Sequence, residues 1–358
     1  MKIIIKTVIL LLLASCANMV PPTGGKKDID PPKLIAKRAI EDMKNVNAKT
    51  IEFEFNEYIQ TNKWNEFFYI SPPIENKIQK KIKAKNLSIT IEDSLANNTT
   101  YYLSLNSCIK DINEGNILDT LSYIFSTSDS FNNLRVSGEL KDANTLKVIE
   151  NAWVMLFDKQ THDSLIFKTR PSYIAKTNKD GFFHFQNLNN DVFSIVALTG
   201  FDFIYNESEK IGFFDTTINT GMDSFVSLVV FDPILKNNST SSDTLIRFSD
   251  SIKSDTIEMK KNLTGSIILN MKQYPSIIFQ LIQNEKISHS FSFNSTPFIL
   301  NKITAGSYML KCILDKNGDG KWTPGNWEEK IQPEKVFIYP QEITIRSNWD
   351  LELDWDLK

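Results

Sequence analysis

Apolar and polar residues alternate over most of the chain beyond residue 50. In "TIEFEFNEYI", Ile51, Phe53 and Phe55 fall on one side and Glu52, Glu54 and Asn56 on the other. "LSITIE" repeats the pattern with Leu87, Ile89 and Ile91, and "TYYLSLNSCI" and "LSYIFST" follow. A period of two marks strands buried on one face. A second series begins near Arg135: "RVSGEL", "AWVMLF", "IAKT", "FFHFQNL", "VFSIVAL" and "FVSLVVF". Within it, "NKDG" carries Asp180-Gly181, a pair suited to a tight turn. A third series starts at Leu263: "TGSIILN", "SIIFQLI", "ISHSFSF", "SYMLKCIL", "EKVFIY" and "EITIR". The closing "NWDLELDWDLK" sets Trp349, Leu351, Leu353, Trp355 and Leu357 against Asp350, Glu352, Asp354 and Asp356. It predicts a paired strand with its apolar side buried. Helical spacing is weak throughout, and "PKLIAKRAIEDMKN" is the best short candidate. Residues 236–262 are polar, Ser/Thr/Asp-rich and without period, which predicts a linker. The pattern predicts an all-β chain of three sandwiches, each of about 95 residues.

Composition narrows the function classes. A formal net charge of −3 supplies no basic field for nucleic acid. Apolar residues at 41%, with 24 Phe against 13 Gly, predict packed cores filled by rings. The three histidines, His162, His184 and His289, are scattered and no CxxC occurs, so no zinc site is expected. Beyond Cys16 only Cys108 and Cys312 remain; two buried thiols are expected, and a bridge is the alternative. No GxSxG, HExxH or Gly-rich phosphate loop is present, so no catalytic role is expected.

The first residues, "MKIIIKTVILLLLASC", join two lysines, an apolar run and small residues before Cys16. That is the build of a secretory signal, too short to cross a bilayer, which needs about 20 apolar residues. "LASC" resembles the lipobox of bacterial lipoproteins. The resemblance implies cleavage before Cys16 and acylation (palmitate among the chains) of that cysteine, which would anchor the protein to a membrane. An ordinary signal peptide is the alternative. Ala17 rather than Asp follows the cysteine, so the expected address is the outer membrane, periplasmic or cell-surface face.

"PPTGGKKDIDPPKL", "FEFNEYI", "ISPP", "CIKDINEGN" and "YIFST" together resemble the bacterial Ig-like domain of S-layer-protein type in Bacteroidota lipoproteins. The middle series, through Gly138, Asp142, Ala152, Val154, Thr177, Asp180, Gly181, Phe183, Phe185 and Leu188, resembles carboxypeptidase-regulatory-like, transthyretin-type sandwiches. The last series resembles the C-terminal part of the same lipoproteins and shares a strand, a polar loop and an aromatic with the middle one. The expected organisation is a signal peptide (1–15), a lipidated cysteine and tether (16–32), an Ig-like domain (33–130), a carboxypeptidase-regulatory-like sandwich (134–235), a polar linker (236–262) and a C-terminal sandwich (263–358).

One loop invites chemistry. "DKNGDGKWTPGN" spaces Asp315, Asn317 and Asp319 like calcium ligands, with Gly320 for the turn. The twelfth position, where an EF-hand places a bidentate Glu, is Asn326; Glu328 is the nearest acid able to complete the set. A structural calcium ion and a metal-free turn whose Asp and Asn cap their own backbone both fit. The corresponding earlier loop keeps only Asp202 and Glu207 as acids, so no cation is expected there. Asp-Ser/Thr-hydrophobic triplets recur and resemble the O-glycosylation acceptor of Bacteroidota secreted proteins. The resemblance implies Thr244, Ser251 and Thr256 in the linker, and Ser94, Thr120, Ser164 and Thr216 elsewhere, as acceptors. Trp322, Trp327, Trp349 and Trp355 crowd the last domain; their spacing predicts core for Trp349 and Trp355, and a sugar-stacking pair is the alternative. The expected role is a non-catalytic, lipid-anchored envelope module that binds a protein partner. A carbohydrate-binding lipoprotein of a glycan-uptake system is the rival.

Overall fold

The computed structural model describes residues 25–38, 44, 50–74, 78–92, 95–159, 168–200, 205–206, 208–232 and 264–357. The chain is all-β, built as tandem sandwiches. In the first, β1 (Leu34–Arg38), β2 (Thr50–Phe55), β3 (Ile59–Thr61), β4 (Tyr69–Ser71) and β5 (Ile78–Lys83) are followed by β6 (Asn86–Ile91), β7 (Thr100–Ser104), β8 (Ile109–Asp111), β9 (Ile117–Leu118) and β10 (Ser122–Ser126). A single turn of helix, α1 (Trp64–Phe67), lies between β3 and β4. Sheets ordered β1-β2-β6-β5 and β10-β7-β4 face each other, with β3-β8-β9 alongside. The alternating residues meet as expected: Ile51, Phe53, Phe55, Leu87, Ile89 and Ile91 are all fully buried with Leu103 and Phe125. The best helix candidate is a strand over its described part. Leu34–Arg38 pairs antiparallel with β2, Leu34 opposite Phe55 and Lys37 opposite Phe53. An open sheet edge offers this segment hydrogen bonds that its weak helical spacing cannot outbid.

The second sandwich uses β11 (Leu134–Asp142), β12 (Trp153–Asp158), β13 (Tyr173–Lys176), β14 (Phe182–Leu188), β15 (Val192–Leu198), β16 (Ile211–Phe213), β17 (Ile218–Asn219) and β18 (Phe225–Val230). The third uses β19 (Thr264–Asn270), β20 (Ile277–Gln283), β21 (Lys286–Phe293), β22 (Phe298–Thr304), β23 (Gly306–Ile313), β24 (Val336–Ile338), β25 (Ile343–Ile345) and β26 (Asp350–Asp354). Their topologies coincide. One sheet is β14-β11-β18 in the second and β22-β19-β26 in the third; the other is β13-β12-β15-β16 and β21-β20-β23-β24, with β17 on β15 and β25 on β23. In both, the first and last strands pair in parallel.

The continuous apolar run "AWVMLF" has its reason in this arrangement. Val154 and Leu156 point into the inner core. Trp153, Met155 and Phe157 point the other way, into a second cluster with Ile174, Val196, Leu198, Ile211, Phe213 and Phe231. Tyr69 of the first sandwich and Trp322 and Trp327 of the third pack onto that cluster. This sheet is therefore buried on both faces, a setting that favours unbroken hydrophobic runs. The closing strand departs from its pattern at one residue. Leu351, Leu353 and Trp355 pack on the third core, but Trp349, one residue before β26, is 59% exposed. The alternation continues past the strand, where Trp355 and Leu357 also pack on the third core; Trp349 follows Asn348, whose left-handed φ of 55 begins the turn into the strand. No helix among the described residues is long and apolar enough to cross a membrane.

Candidate functional site at the sandwich junctions

Loop 315–334 leaves β23 and returns to β24. Asp315 and Glu334 are both nearly sealed from solvent, at 4% and 5% exposure. Buried carboxylates need partners, and here the partners are peptide N–H groups. Asp315 accepts from Gly318 N at 2.7 Å, Gly320 N at 3.0 Å and Ser276 Oγ at 3.1 Å. Glu334 Oε1 accepts from Lys316 N at 2.6 Å, and its Oε2 from Thr323 N at 3.0 Å. Gly318 (φ 72) and Gly320 (φ 76) supply the left-handed turns that aim these amides inward. Asn317 and Asp319 cap the loop's outer rim: Asn317 Oδ1 accepts from Asp319 N at 3.0 Å and Asp319 Oδ1 from Lys321 N at 2.7 Å.

The structure thus brings Asp315, Asn317 and Asp319 together but leaves Glu328 out. Glu328 sits in a separate turn, its N–H held by Asn326 Oδ1 at 2.9 Å. Glu334, a residue the spacing did not single out, takes the inward position instead. No cluster of three metal-capable acids, histidines or cysteines occurs among the described residues. The oxygens that calcium would require already accept amide protons. Millimolar calcium is expected to leave the melting temperature unchanged, whereas Glu334→Gln is expected to lower stability by about 1–3 kcal/mol through its strained, half-matched cap. A calorimetric scan with and without the ion checks both.

The same device recurs. Asp111, in "CIKDINEGN", accepts from the N–H groups of Glu114, Gly115 and Asn116 at 2.7–2.8 Å. Burial alone would raise its pKa, but these amides outweigh it and hold the carboxyl below the usual range. Asp142 accepts from Asn144 N, Thr145 N and Thr145 Oγ1 and pairs with Lys210 Nζ at 2.5 Å.

Capped in this way, loop 315–334 serves as a latch. Trp327 stands edge-on to Phe213 of the second sandwich, centroids 5.1 Å apart, and the Lys330 ammonium lies 2.9 Å above the Trp327 ring centroid. Gly325 lets the backbone approach Phe231, whose Cζ is 2.5 Å from where a Cβ would stand. Gln332 Nε2 donates to Phe213 O at 2.9 Å and Asp215 Oδ1 at 2.7 Å. On the facing side, Leu146 of the second sandwich packs on Ile278, Ile313 and Val336.

At the centre of this junction lies Lys311, 5% exposed, its amine donating to Asn144 Oδ1. Burial pushes its pKa down to about 8, against the pull of Asp142. Its folded pKa lies below the roughly 10.4 of an unfolded chain, so the folded protein binds fewer protons between those values. Stability is therefore expected to rise as pH climbs from about 8 toward 10.4. Lys311→Met, which keeps the stem and drops the charge, is expected to stabilise the protein at neutral pH by roughly 1–3 kcal/mol and to abolish its share of that rise. Thermal melts of both proteins at pH 7.5 and 10 read the difference.

The first junction is smaller. Tyr69 stands edge-on to Trp153 at 5.7 Å, Lys176 lies 4.4 Å over the same ring and donates to Glu66 O, and Ile174 N donates to Ser71 Oγ at 3.0 Å. Burial lowers the Lys176 pKa and raises that of Tyr69. A cleft of about 360 Å³ opens here between Asn65, Glu66, Glu150, Asn151 and Lys176.

The remaining candidates separate. Cys16, Thr244, Ser251 and Thr256 lie outside the described residues, as do Ser94, Ser164, His162, Asp202 and Glu207. Thr120 and Thr216 are exposed. Cys108 and Cys312 are free thiols buried in two different cores. Burial pushes the Cys108 pKa up to about 12 and raises that of Cys312, so neither is a nucleophile at neutral pH. His289 borders the third core, its pKa lowered by burial. His184 Nδ1 meets Ser137 Oγ at 3.0 Å on an open sheet face. Spacing in sequence could not foretell that pair, because β-register alone brings the two together.

Residues 28–127 match the family model of the bacterial Ig-like domain. No curated protein matches the chain. Among solved structures it is similar to the Bacillus anthracis TIE protein at 11% identity, over 94% of this chain and 59% of that one, TM-score 0.19. It is similar to the N-terminal part of the bacterial S-layer protein SbsC at 14% identity, over 56% of this chain and 43% of that one, TM-score 0.19. It is similar to BcpA, the major pilin subunit of Bacillus cereus, at 7% identity, over 56% of this chain and 70% of that one, TM-score 0.20. The chain spans less than two thirds of the first two of these proteins. Over its first sandwich, then, it is similar to bacterial Ig-like domains.

Proposed function

We propose that the chain is a non-catalytic lipoprotein of the outer membrane, of the Bacteroidota type, anchored through acylated Cys16. It would act as a spacer that holds three sandwiches in fixed order and presents their faces to an envelope protein. The observation that carries this reading is the sheet β13-β12-β15-β16, clasped on its outer face by aromatic residues of both neighbours. Loose tethers between domains need no such burial; a spacer of defined length does. The acids that are most buried serve as loop caps, which supports a role without catalysis. The polar linker at 236–262 and its glycan acceptors belong to the same reading.

Metabolic labelling with an alkyne palmitate analogue tests the anchor. The native chain is expected to carry label and to fractionate with the outer membrane, and Cys16→Ser to do neither. In-cell cross-linking tests the partner: recovery of one envelope protein with the native chain is expected, and none would remove that part of the reading. The rival, glycan recognition, is favoured by one specific surface.

A further inference from the structure

We propose that the solvent face of sheet β14-β11-β18 binds a neutral oligosaccharide. The alternation that buries Val136, Gly138, Leu140, Phe183, Phe185, Val226 and Leu228 turns their neighbours outward. Two of those neighbours are phenyl rings, Phe182 at 39% and Phe225 at 57% exposure. Each ring offers water a flat apolar face suited to stacking. They stand on the two outer strands, Phe182 beside Glu139 and Phe225 beside Ser137 of the central one. Two strand spacings, about 10 Å, separate their columns.

Between the rings the groups are polar and already set in place. Ser227 Oγ donates to Glu139 Oε1 at 2.9 Å, Lys141 Nζ lies 2.6 Å from Glu139 Oε2, and His184 meets Ser137. The hydrogen bond from Lys141 holds the Glu139 carboxyl below its usual range, so it is ionised and accepting at neutral pH. Beyond Ser227 the surface runs into a cleft of about 200 Å³ between the second and third sandwiches, where Phe214 (41% exposed), Asp215 and Gln332 line the wall.

A pyranose ring matches this alternation of ring and polar group. Its C–H faces stack on phenyl rings and its hydroxyl rim bonds to carboxylate, hydroxyl and imidazole. A dry protein contact would bury Glu139 and Lys141 and incur their desolvation cost, whereas a sugar chain leaves them wet at its edges. Anionic chains are disfavoured at the centre of the face, because Glu139 and Asp215 are acids and Lys141 is paired with Glu139; Arg135, exposed at the start of the central strand, stands outside that centre. The surface is not a by-product of the topology. In the third sandwich the last strand of the equivalent sheet turns Asp350, Glu352 and Asp354 outward. This site stands apart from the anchor and needs no lipid.

The full-length protein in detergent, titrated calorimetrically with maltohexaose, cellohexaose, xylohexaose and mannohexaose, tests the proposal, with hexagalacturonate as the charged control. At least one neutral hexaose is expected to saturate. The double variant Phe182→Ala/Phe225→Ala is expected to weaken it tenfold or more at an unchanged Tm, because both rings lie outside the core. Trp349→Ala, on the third sandwich, is expected to bind as the native protein does. Failure of all four neutral hexaoses overturns the proposal, as does undiminished binding by the double variant or equal binding of hexagalacturonate. If a photo-cross-linker at position 225 captures an envelope protein while no hexaose binds, the face is a protein contact and the proposal falls.

Discussion

Alanine in place of Trp327 is expected to release the third sandwich from the second while leaving each folded. The indole fills the gap between Phe213 and the Lys330 ammonium. Its removal forfeits ring burial and the edge-to-face contact, about 3 kcal/mol in a half-buried setting. The loop itself survives, because Asp315 and Glu334 hold its amides independently of the indole. The native protein is therefore expected to melt with its last two sandwiches coupled, and the variant in two separable calorimetric transitions. Small-angle scattering should show a longer maximum dimension for the variant. An unchanged single transition would show that the remaining contacts, Leu146, Gln332, Trp322 and Lys311 among them, suffice without the indole.

Gly138→Ala should do more damage, and inside one sandwich. Gly138 lies at the centre of a three-stranded sheet, opposite Phe183 on one side and Val226 on the other. An added Cβ would stand 2.2 Å from Val226 O and 2.3 Å from the Phe183 ring. The ring could shift only into a packed core, and the carbonyl only by breaking the ladder. Overpacking of this kind costs about 3 kcal/mol or more. Chemical denaturation should show a lower midpoint for the second sandwich, with the first sandwich unaffected. A midpoint equal to the native one would mean that β18 can yield.

The strands were legible because a period of two is local and strong: Ile51, Phe53 and Phe55 announce their face unaided. The run Trp153–Phe157 was legible as strand, but its second buried face was not, since the covering residues Tyr69, Trp322 and Trp327 come from distant parts of the chain. Loop 315–326 was ambiguous for a chemical reason. Asp, Asn and Gly at alternate positions serve a cation and serve backbone amides equally well, and the fold adds that the Asp315 oxygens accept the Gly318 and Gly320 amides. Glu334 returns to the loop from outside the motif, where spacing carries no signal, whereas Glu328 is near in sequence but sits in a separate turn. The helix candidate at Leu34 yields to pairing with a neighbouring strand, which no single segment encodes. The Phe182 and Phe225 pair likewise depends on register across β11.

The parallel pairing of first and last strands in the second and third sandwiches has a mechanical corollary. A pull applied along the chain draws β11 and β18, or β19 and β26, in opposite directions along their shared axis. Every hydrogen bond of that ladder is then loaded at once in shear, rather than opened one after another like a zip. A chain stretched from its two ends would load both clamps in this way.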